Sequence, residues 1–166
     1  KGGSGTLLNR EIKRELVAIV GSDYVLDDTE ALFTHSYDAT PMYQAIPDGV
    51  VFPGNTQEVA EVMKALNAHR IPIVGRGSGS NLSAGTVPLE GGVVIVMTRM
   101  NRLMEIDEDN LTATFQTGLI TKELHQAVES KQLFYPPYPG SMVVSTLGGN
   151  IAECAGGLRG LKYVTT

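Results

Sequence analysis

Apolar positions along this chain alternate between helical and strand-like spacings. Ile12, Leu16, Ile19 and Val20 recur on one helical face, with Asn9 placed to cap the start and Gly21 to stop the end. Residues 27–48 are polar and broken by proline, which predicts irregular chain. Gly49–Phe52 predicts a short strand that Pro53 ends. Thr56 reads as the cap of a helix whose apolar face is Val59, Val62, Met63 and Leu66. Glu58 and Glu61 near its start and Lys64, His69 and Arg70 near its end suit the helix dipole. Ile71–Val74 predicts a second strand, so strand, helix and strand follow in the order of a parallel pair with a right-handed crossover. Val93–Met97 predicts a third strand. A hairpin follows, Leu103–Ile106 with Thr112–Phe115. Thr121 opens a helix carrying Leu124, Ala127 and Val128, and a short helix is expected within Ser145–Cys154. The predicted architecture is α+β, a small parallel βαβ core extended by antiparallel strands.

The second strand runs into the first of two glycine clusters, Gly75-Arg76-Gly77-Ser78-Gly79-Ser80-Asn81-Leu82, with Gly85 close behind. Its alternating glycines let the chain turn tightly and bring bare backbone N–H groups near a ligand, where a Cβ would intrude. Ser78, Ser80 and Asn81 add small hydrogen-bonding groups. Such a loop suits a phosphate or pyrophosphate; a tight polar turn after a strand is the other reading. A Rossmann fingerprint needs glycine where Ser80 stands, and a P-loop needs a Gly-Lys-Ser/Thr ending that is absent. A hydrolase elbow fails too, because Gly77 occupies the nucleophile position.

The second cluster is Tyr135-Pro136-Pro137-Tyr138-Pro139-Gly140-Ser141, then Ser145-Thr146-Leu147-Gly148-Gly149-Asn150 and Gly156-Gly157, closing with Arg159-Gly160-Leu161-Lys162-Tyr163. The prolines make 135–139 rigid and extended. Ser145 or Thr146 can cap a short helix, and Gly148 and Gly149 allow a ring system or phosphate to approach. A glycine-rich surface loop is the alternative, set against rigid proline and apolar material that a flexible linker lacks.

In their order and spacing these clusters, with Ser36-Tyr37-Asp38-Ala39-Thr40-Pro41, Pro47, Val51-Phe52-Pro53 and Glu105-Ile106-Asp107, resemble the FAD-binding domain of the vanillyl-alcohol-oxidase/PCMH flavoprotein superfamily. The resemblance spans residues 8–163. More narrowly, it is to the glycolate oxidase subunit family that includes the FAD-linked D-lactate and D-2-hydroxyacid dehydrogenases. It implies a PCMH-type FAD-binding fold with FAD as cofactor. It further implies that Gly75, Arg76, Gly77, Ser78, Gly79, Ser80, Asn81 and Leu82, with Gly85, line the FAD pyrophosphate, and that Pro53 closes the preceding strand. Pro136, Pro137, Gly140, Ser141, Ser145, Thr146, Gly148, Gly149, Asn150, Gly156 and Gly157 would approach the rest of the pyrophosphate and the isoalloxazine.

The reaction so implied is hydride transfer from a small 2-hydroxy acid to the flavin, giving the 2-oxo acid, with electrons passed on to electron-accepting protein subunits. The implied location is cytoplasmic, or peripheral to the inner membrane through those subunits. In the family the substrate-binding Arg and His belong to a separate domain further along. Residues 6–166 are therefore expected to be the N-terminal part of such an enzyme, with no catalytic residue and no turnover alone. Lys1–Gly5 reads as a linker or expression scar.

The chain departs from the family pattern at Thr117 (for Pro), Tyr138 (for Asp), Cys154 (for Asn) and Val164 (for Gly). Tyr138 replaces a compact anion with a bulky ring, and Cys154 removes an amide. Cys154 is otherwise expected to be a small buried thiol without a redox role. These two departures support an alternative, a non-catalytic interaction module that kept the fold. A flavin domain of another branch, such as a peptidoglycan-precursor reductase, is opposed by residues 135–141 and 146–150.

Composition narrows the remaining possibilities. A chain of 166 residues that is 42% hydrophobic and 19% charged fits a globular unit with its own core. A net charge of −5 and the lack of a Lys/Arg-rich run argue against a nucleic-acid partner. One cysteine allows no intrachain disulfide and agrees with a reducing compartment. No apolar run reaches the roughly 18 residues of a transmembrane segment. His35 in a polar loop and His69 and His125 on helix faces have no metal-ligand spacing, so no metal site is expected. Asp107-Glu108-Asp109 reads as a solvated hairpin tip.

Overall fold

The computed structural model describes residues 8–163, 165 and 166. The linker expectation for Lys1–Gly5 and the departure at Val164 lie outside the described residues. The chain divides into two compact units, one reaching Arg99 and one beginning at Met100.

In the first unit, Asn9 Oδ1 accepts from the N–H groups of Glu11 and Ile12 and starts α1 (Arg10–Val20). Gly21 ends it at φ +93°, returning its N–H to the Val17 carbonyl. Ile12, Leu16 and Val20, spaced by four, are the buried face. Strand β1 (Val25–Leu26) follows, too short to show an alternation in sequence. Residues 27–48 are not irregular throughout, which corrects the expectation from sequence. Asp28 Oδ1 accepts from Ala31 N–H and nucleates α2 (Thr29–Thr34). Six residues are under two turns, so no hydrophobic period can display itself.

Three further strands, β2 (Gly49–Val51), β3 (Ile73–Arg76) and β4 (Val93–Val96), complete a sheet of order β1-β2-β4-β3. β2 and β3 are both parallel to β4, as the strand–helix–strand order requires. They are not neighbours: β4 lies between them, pairing Val94 with Val50 on one side and Val74 on the other. Its four residues are all apolar and all buried, which suits a strand covered on both faces. Val93 and Ile95 pack with Leu16 and Leu66 on one face. Val94 and Val96 join Val50 and Leu32 on the other. Burying a leucine as completely as Leu16 or Leu66 contributes about 1.5–3 kcal/mol.

Several boundaries differ from the sequence reading. β2 stops at Val51 and β4 at Val96, one residue short of the expected Phe52 and Met97, and the first strand of the hairpin runs one residue past Ile106. Helix α3 (Thr56–Ala68) is capped by Asn55 and not by Thr56. Asn55 Oδ1 accepts from Glu58 N–H while Glu58 Oε2 accepts from Gly54 N–H, a reciprocal arrangement that satisfies two open donors. Met63 is 49% exposed, and Val62, Ala65 and Leu66 carry the buried face instead. The strand expected at Ile71–Val74 begins at Ile73, because Pro72 has no N–H to pair. The Pro72 carbonyl accepts from Val93 N–H.

The second unit opens with the antiparallel hairpin of β5 (Leu103–Asp107) and β6 (Thr112–Phe115), with an irregularity in register between Leu103 and Glu105. At its tip Asp107 accepts from the N–H groups of Asp109 and Asn110, so the acidic run is an exposed turn. Helices α4 (Thr121–Glu129) and α5 (Leu147–Ala152) follow, then α6 (Gly160–Tyr163), which no hydrophobic period announced. Leu119, Leu124, Val128 and Leu147 form the core, with Ile106, Phe115 and Tyr135 against it. Among the described residues no helix is long and apolar enough to cross a membrane.

Candidate cofactor-binding site

In the first unit β3 delivers the chain into the glycine loop. Gly75 is exposed, and a Cβ on it would meet nothing within 4 Å. Arg76 turns inward. It is 9% exposed, and its Nη1 donates to the Tyr37 carbonyl at 2.8 Å and to Thr86 Oγ1 at 3.2 Å. Gly79 stands at φ +72° and packs on that guanidinium, where a Cβ would overlap it.

A second segment braces the loop. Asp38 accepts from Thr40 N–H at 2.8 Å and from Thr86 Oγ1 at 3.1 Å. Thr40 Oγ1 accepts from Ala84 N–H at 2.7 Å, and the Gly79 carbonyl accepts from Ala39 N–H at 3.1 Å. The Thr86 hydroxyl donates to Asp38 and accepts from Arg76 and from Asn81 Nδ2, which uses its full capacity. Asn81 Oδ1 accepts from the N–H groups of Ser83 and Gly85. Ser78 Oγ donates to Ser80 Oγ.

Burial alone would raise the Asp38 pKa, but the hydrogen bonds from Thr40 and Thr86 outweigh it and hold the carboxyl below its ordinary value. Burial lowers the Arg76 pKa, opposed by Asp38, and a guanidinium stays charged under such shifts. The loop therefore lies on a buried cation. Among the described residues the backbone N–H groups of Gly77, Ser78, Gly79 and Ser80 have no acceptor. Leu82 is 77% exposed, Gly85 is exposed and Pro53 is buried just past β2.

The second unit holds the other cluster. Residues 117–122 and 142–148 are zipped together: Leu119 accepts from Leu147 N–H, Thr117 from Gly148 N–H and Ser145 from Thr121 N–H through their carbonyls. Thr121 Oγ1 donates to the Ser145 carbonyl and accepts from Asn150 Nδ2 at 2.6 Å. Thr146 caps α5 by accepting from Gly149 N–H. The side chains of Ser145, Thr146 and Asn150 are buried, whereas Gly140 is exposed and a Cβ there would meet nothing.

His125, 3% exposed, donates through Nε2 to the Pro137 carbonyl at 2.9 Å and stands edge-on to Tyr135 and Tyr138. This holds Pro136 and Pro137 on α4. Burial pushes the Tyr135 hydroxyl pKa up. Gly157 packs on the Tyr138 carbonyl, and Gly156 lies 3.4 Å (from an ideal Cβ) from Thr165. The Arg159 guanidinium lies 4.5 Å from the Phe134 and Tyr138 ring centres, and its buried Nη1 has no partner among the described residues. Ser141 accepts from Ser145 N–H through its carbonyl.

Two expectations fail here. Cys154 is exposed and sits at φ +50°, just past the end of α5, where no core reaches it. His35 is not in a polar loop: it caps the C-terminal end of α2, with Nδ1 2.8 Å from the Ala31 carbonyl. Among the described residues no group of three His, Cys, Asp or Glu could hold a metal ion. Sequence reasoning gave no site role to Asp38, Thr40, Thr86, Thr121 or His125. Asp38 and Thr86 are 48 residues apart, a spacing that carries no local signal.

The family model described as an FAD binding domain matches residues 47–166. The chain belongs to this FAD-binding family. It is 51% identical over 160 residues to glycolate oxidase subunit GlcD of Bacillus subtilis, covering 96% of this chain and 34% of that protein. It is 38% identical over 141 residues to a D-lactate dehydrogenase of Anaerostipes hadrus, covering 84% of this chain and 29% of the other. The chain thus spans about a third of the length of these relatives. Among solved structures, alkyldihydroxyacetonephosphate synthase superposes with a TM-score of 0.85 at 29% identity, over 95% of this chain and 34% of that one. p-Cresol methylhydroxylase superposes with a TM-score of 0.77 at 21% identity, over 92% and 30%, a likeness of fold alone. The α+β fold of this FAD binding domain is the PCMH type.

Proposed function

We propose that the Gly75–Leu82 loop with Gly85 holds the pyrophosphate of FAD. The observation that carries this reading is four successive backbone N–H groups, Gly77 to Ser80, that have no acceptor among the described residues and lie on the loop packed against the buried Arg76 guanidinium. Unpaired N–H groups in a glycine loop accept anionic oxygens, and a buried cation beneath them adds attraction that water screens weakly. The open space at Gly75 leaves room for the ligand. Arg76 acts here as a charge under the loop, since its Nη1 is committed to Tyr37 and Thr86. In the second unit we assign Pro136, Pro137, Gly140, Ser141, Ser145, Thr146, Gly148, Gly149, Asn150, Gly156 and Gly157 as further FAD contacts. Buried Thr146, Asn150 and Ser145 there fix the backbone rather than reach outward.

When bound, FAD supplies the hydride acceptor. This chain's residues bind and orient it. In the whole protein the substrate is a small 2-hydroxy acid of the glycolate or D-lactate kind, oxidised to the 2-oxo acid, with electrons leaving to partner proteins in the cytoplasm or at the inner membrane. The relatives' names support the substrate class, one being a glycolate oxidase subunit and one a D-lactate dehydrogenase. Residues 6–166 supply the FAD-binding part of that enzyme.

Titration of the purified chain with FAD and with riboflavin, which lacks the pyrophosphate, tests the cradle. FAD should bind more tightly, and Gly77→Val should erase the difference while far-UV circular dichroism is unchanged. Equal affinity for the two flavins in the parent chain would refute the assignment. The substrate class is tested on the whole protein by dye reduction with glycolate and D-lactate; no reduction with either would refute it.

A further inference from the structure

We propose that the Ser36–Thr40 segment is the positioning element of the glycine loop. Thr40 and Asp38 hold residues 79–86 so that the N–H groups of Gly77 to Ser80 stay unpaired and open to a pyrophosphate. The inference rests on the reading of that loop as the pyrophosphate site.

A glycine-rich loop with four free donors is not stable in an open form by itself. Unpaired N–H groups seek acceptors, and glycine gives the backbone freedom to fold onto its own carbonyls or onto Ser78 and Ser80. Something outside the loop has to hold it open. The segment from Ser36 to Thr40 does this at three points. Ala39 N–H donates to the Gly79 carbonyl, which occupies an acceptor the loop's own donors would otherwise take. Asp38 receives Thr86 from the far side of the loop and Thr40 N–H from its own, so the carboxylate ties loop and segment together. Thr40 Oγ1 accepts from Ala84 N–H.

The last bond is the telling one. Ala84 stands at φ +56°, a left-handed conformation that a residue with a Cβ resists. Thr40, 44 residues earlier, gives the N–H of that residue an acceptor and so favours the turn that leads Asn81 back toward Thr86. The segment is anchored in turn. Ser36 is fully buried, donates to the Phe33 carbonyl and accepts from Gln44 Nε2, while the Tyr37 carbonyl receives Arg76. Thr40 is thus a positioning residue that touches the loop and not its ligand.

The test uses the full chain carrying Thr40→Val, which removes the acceptor at nearly constant volume, and Thr40→Ser, which restores it. Binding of FAD and of riboflavin is measured for each, with amide hydrogen exchange on the flavin-free protein. Thr40→Val should weaken FAD roughly three- to ten-fold, the size of one lost hydrogen bond, and leave riboflavin unchanged. Exchange at Ala84 should quicken, and Thr40→Ser should recover both readouts. Should Thr40→Val not fold, Thr40→Ala carries the same expectations. FAD binding unaltered in the variant, or weakened equally with riboflavin, overturns the proposal while leaving the pyrophosphate site standing. A parent chain that prefers neither flavin removes the pyrophosphate reading and this inference with it.

Discussion

Gly79 lies against the guanidinium of Arg76, packed into the space that a Cβ on residue 79 would fill. The contact joins the loop's tightest turn, at φ +72°, to the buried cation below it. Gly75, four residues earlier and without a positive φ, has open space instead. The two glycines therefore separate folding from binding. Gly79→Ala should cost roughly 2–4 kcal/mol in urea denaturation, from left-handed strain plus displacement of Arg76. Gly75→Ala should change stability by no more than about 0.5 kcal/mol. Equal losses at the two positions would contradict the packing described.

Gly157 offers the same contrast in the second unit. An added Cβ would run into the Tyr138 carbonyl, which is backbone and cannot swing aside. Gly157→Ala should destabilise the chain by about 1–3 kcal/mol through displaced backbone, whereas Gly140→Ala should be tolerated. Thermal unfolding of both variants checks this; a tolerated Gly157→Ala would show that the contact relaxes freely.

Cys154 invites a stabilising change. It is exposed at φ +50°, and asparagine adopts that region more readily than cysteine. Cys154→Asn should raise stability by about 0.5 kcal/mol, read as a higher urea midpoint. A lower midpoint would mean that the thiol contributes packing the structure does not show.

Stability should also report the protonation of His35. Its pKa is lowered from 6.5, first by burial and then by the Arg76 charge, against the Ala31 carbonyl that favours a protonated ring. The unfolded chain then binds this proton at a higher pH than the folded chain does. His35 therefore contributes stability that is complete above pH 6.5 and is lost as pH falls through the lowered folded value. Asp38, lowered from 3.8, acts in a separate and more acidic window. His35→Gln should flatten the slope of stability against pH just below 6.5; an unchanged slope would assign it to other groups.

Elements long enough to repeat their period were legible in sequence. Helix α1 has its cap, stop and buried face where Asn9, Gly21 and the spacing of Ile12, Leu16 and Val20 put them. The hairpin and α4 likewise follow their patterns. β1, α2 and α6 were not legible, since pieces this short show no period. The equally short β2, β4 and α5 were marked instead by continuous apolar runs and by Thr146 as a cap. The cap of α3 moved by one residue because Asn55 and Thr56 are both good caps, and Glu58 chooses between them by reaching back to Gly54. Cys154 was misplaced because exposure beyond a helix end depends on what packs there and not on residue type.

Local sequence was enough for the α+β class, the parallel sense of β2 and β3, and the positions of both glycine clusters. Each depends on local spacing or on conformations that glycine and proline alone allow. Long-range packing was needed to place β4 between β2 and β3, since any fully apolar strand meets the requirement for burial and only pairing selects its neighbours. The same packing points Arg76 under its loop, and lets Asp38, Thr40 and Thr86 close the loop from residues 44 and 48 positions apart. Hydrogen bonds over such separations depend on where the sheet carries each segment, and no local pattern encodes that.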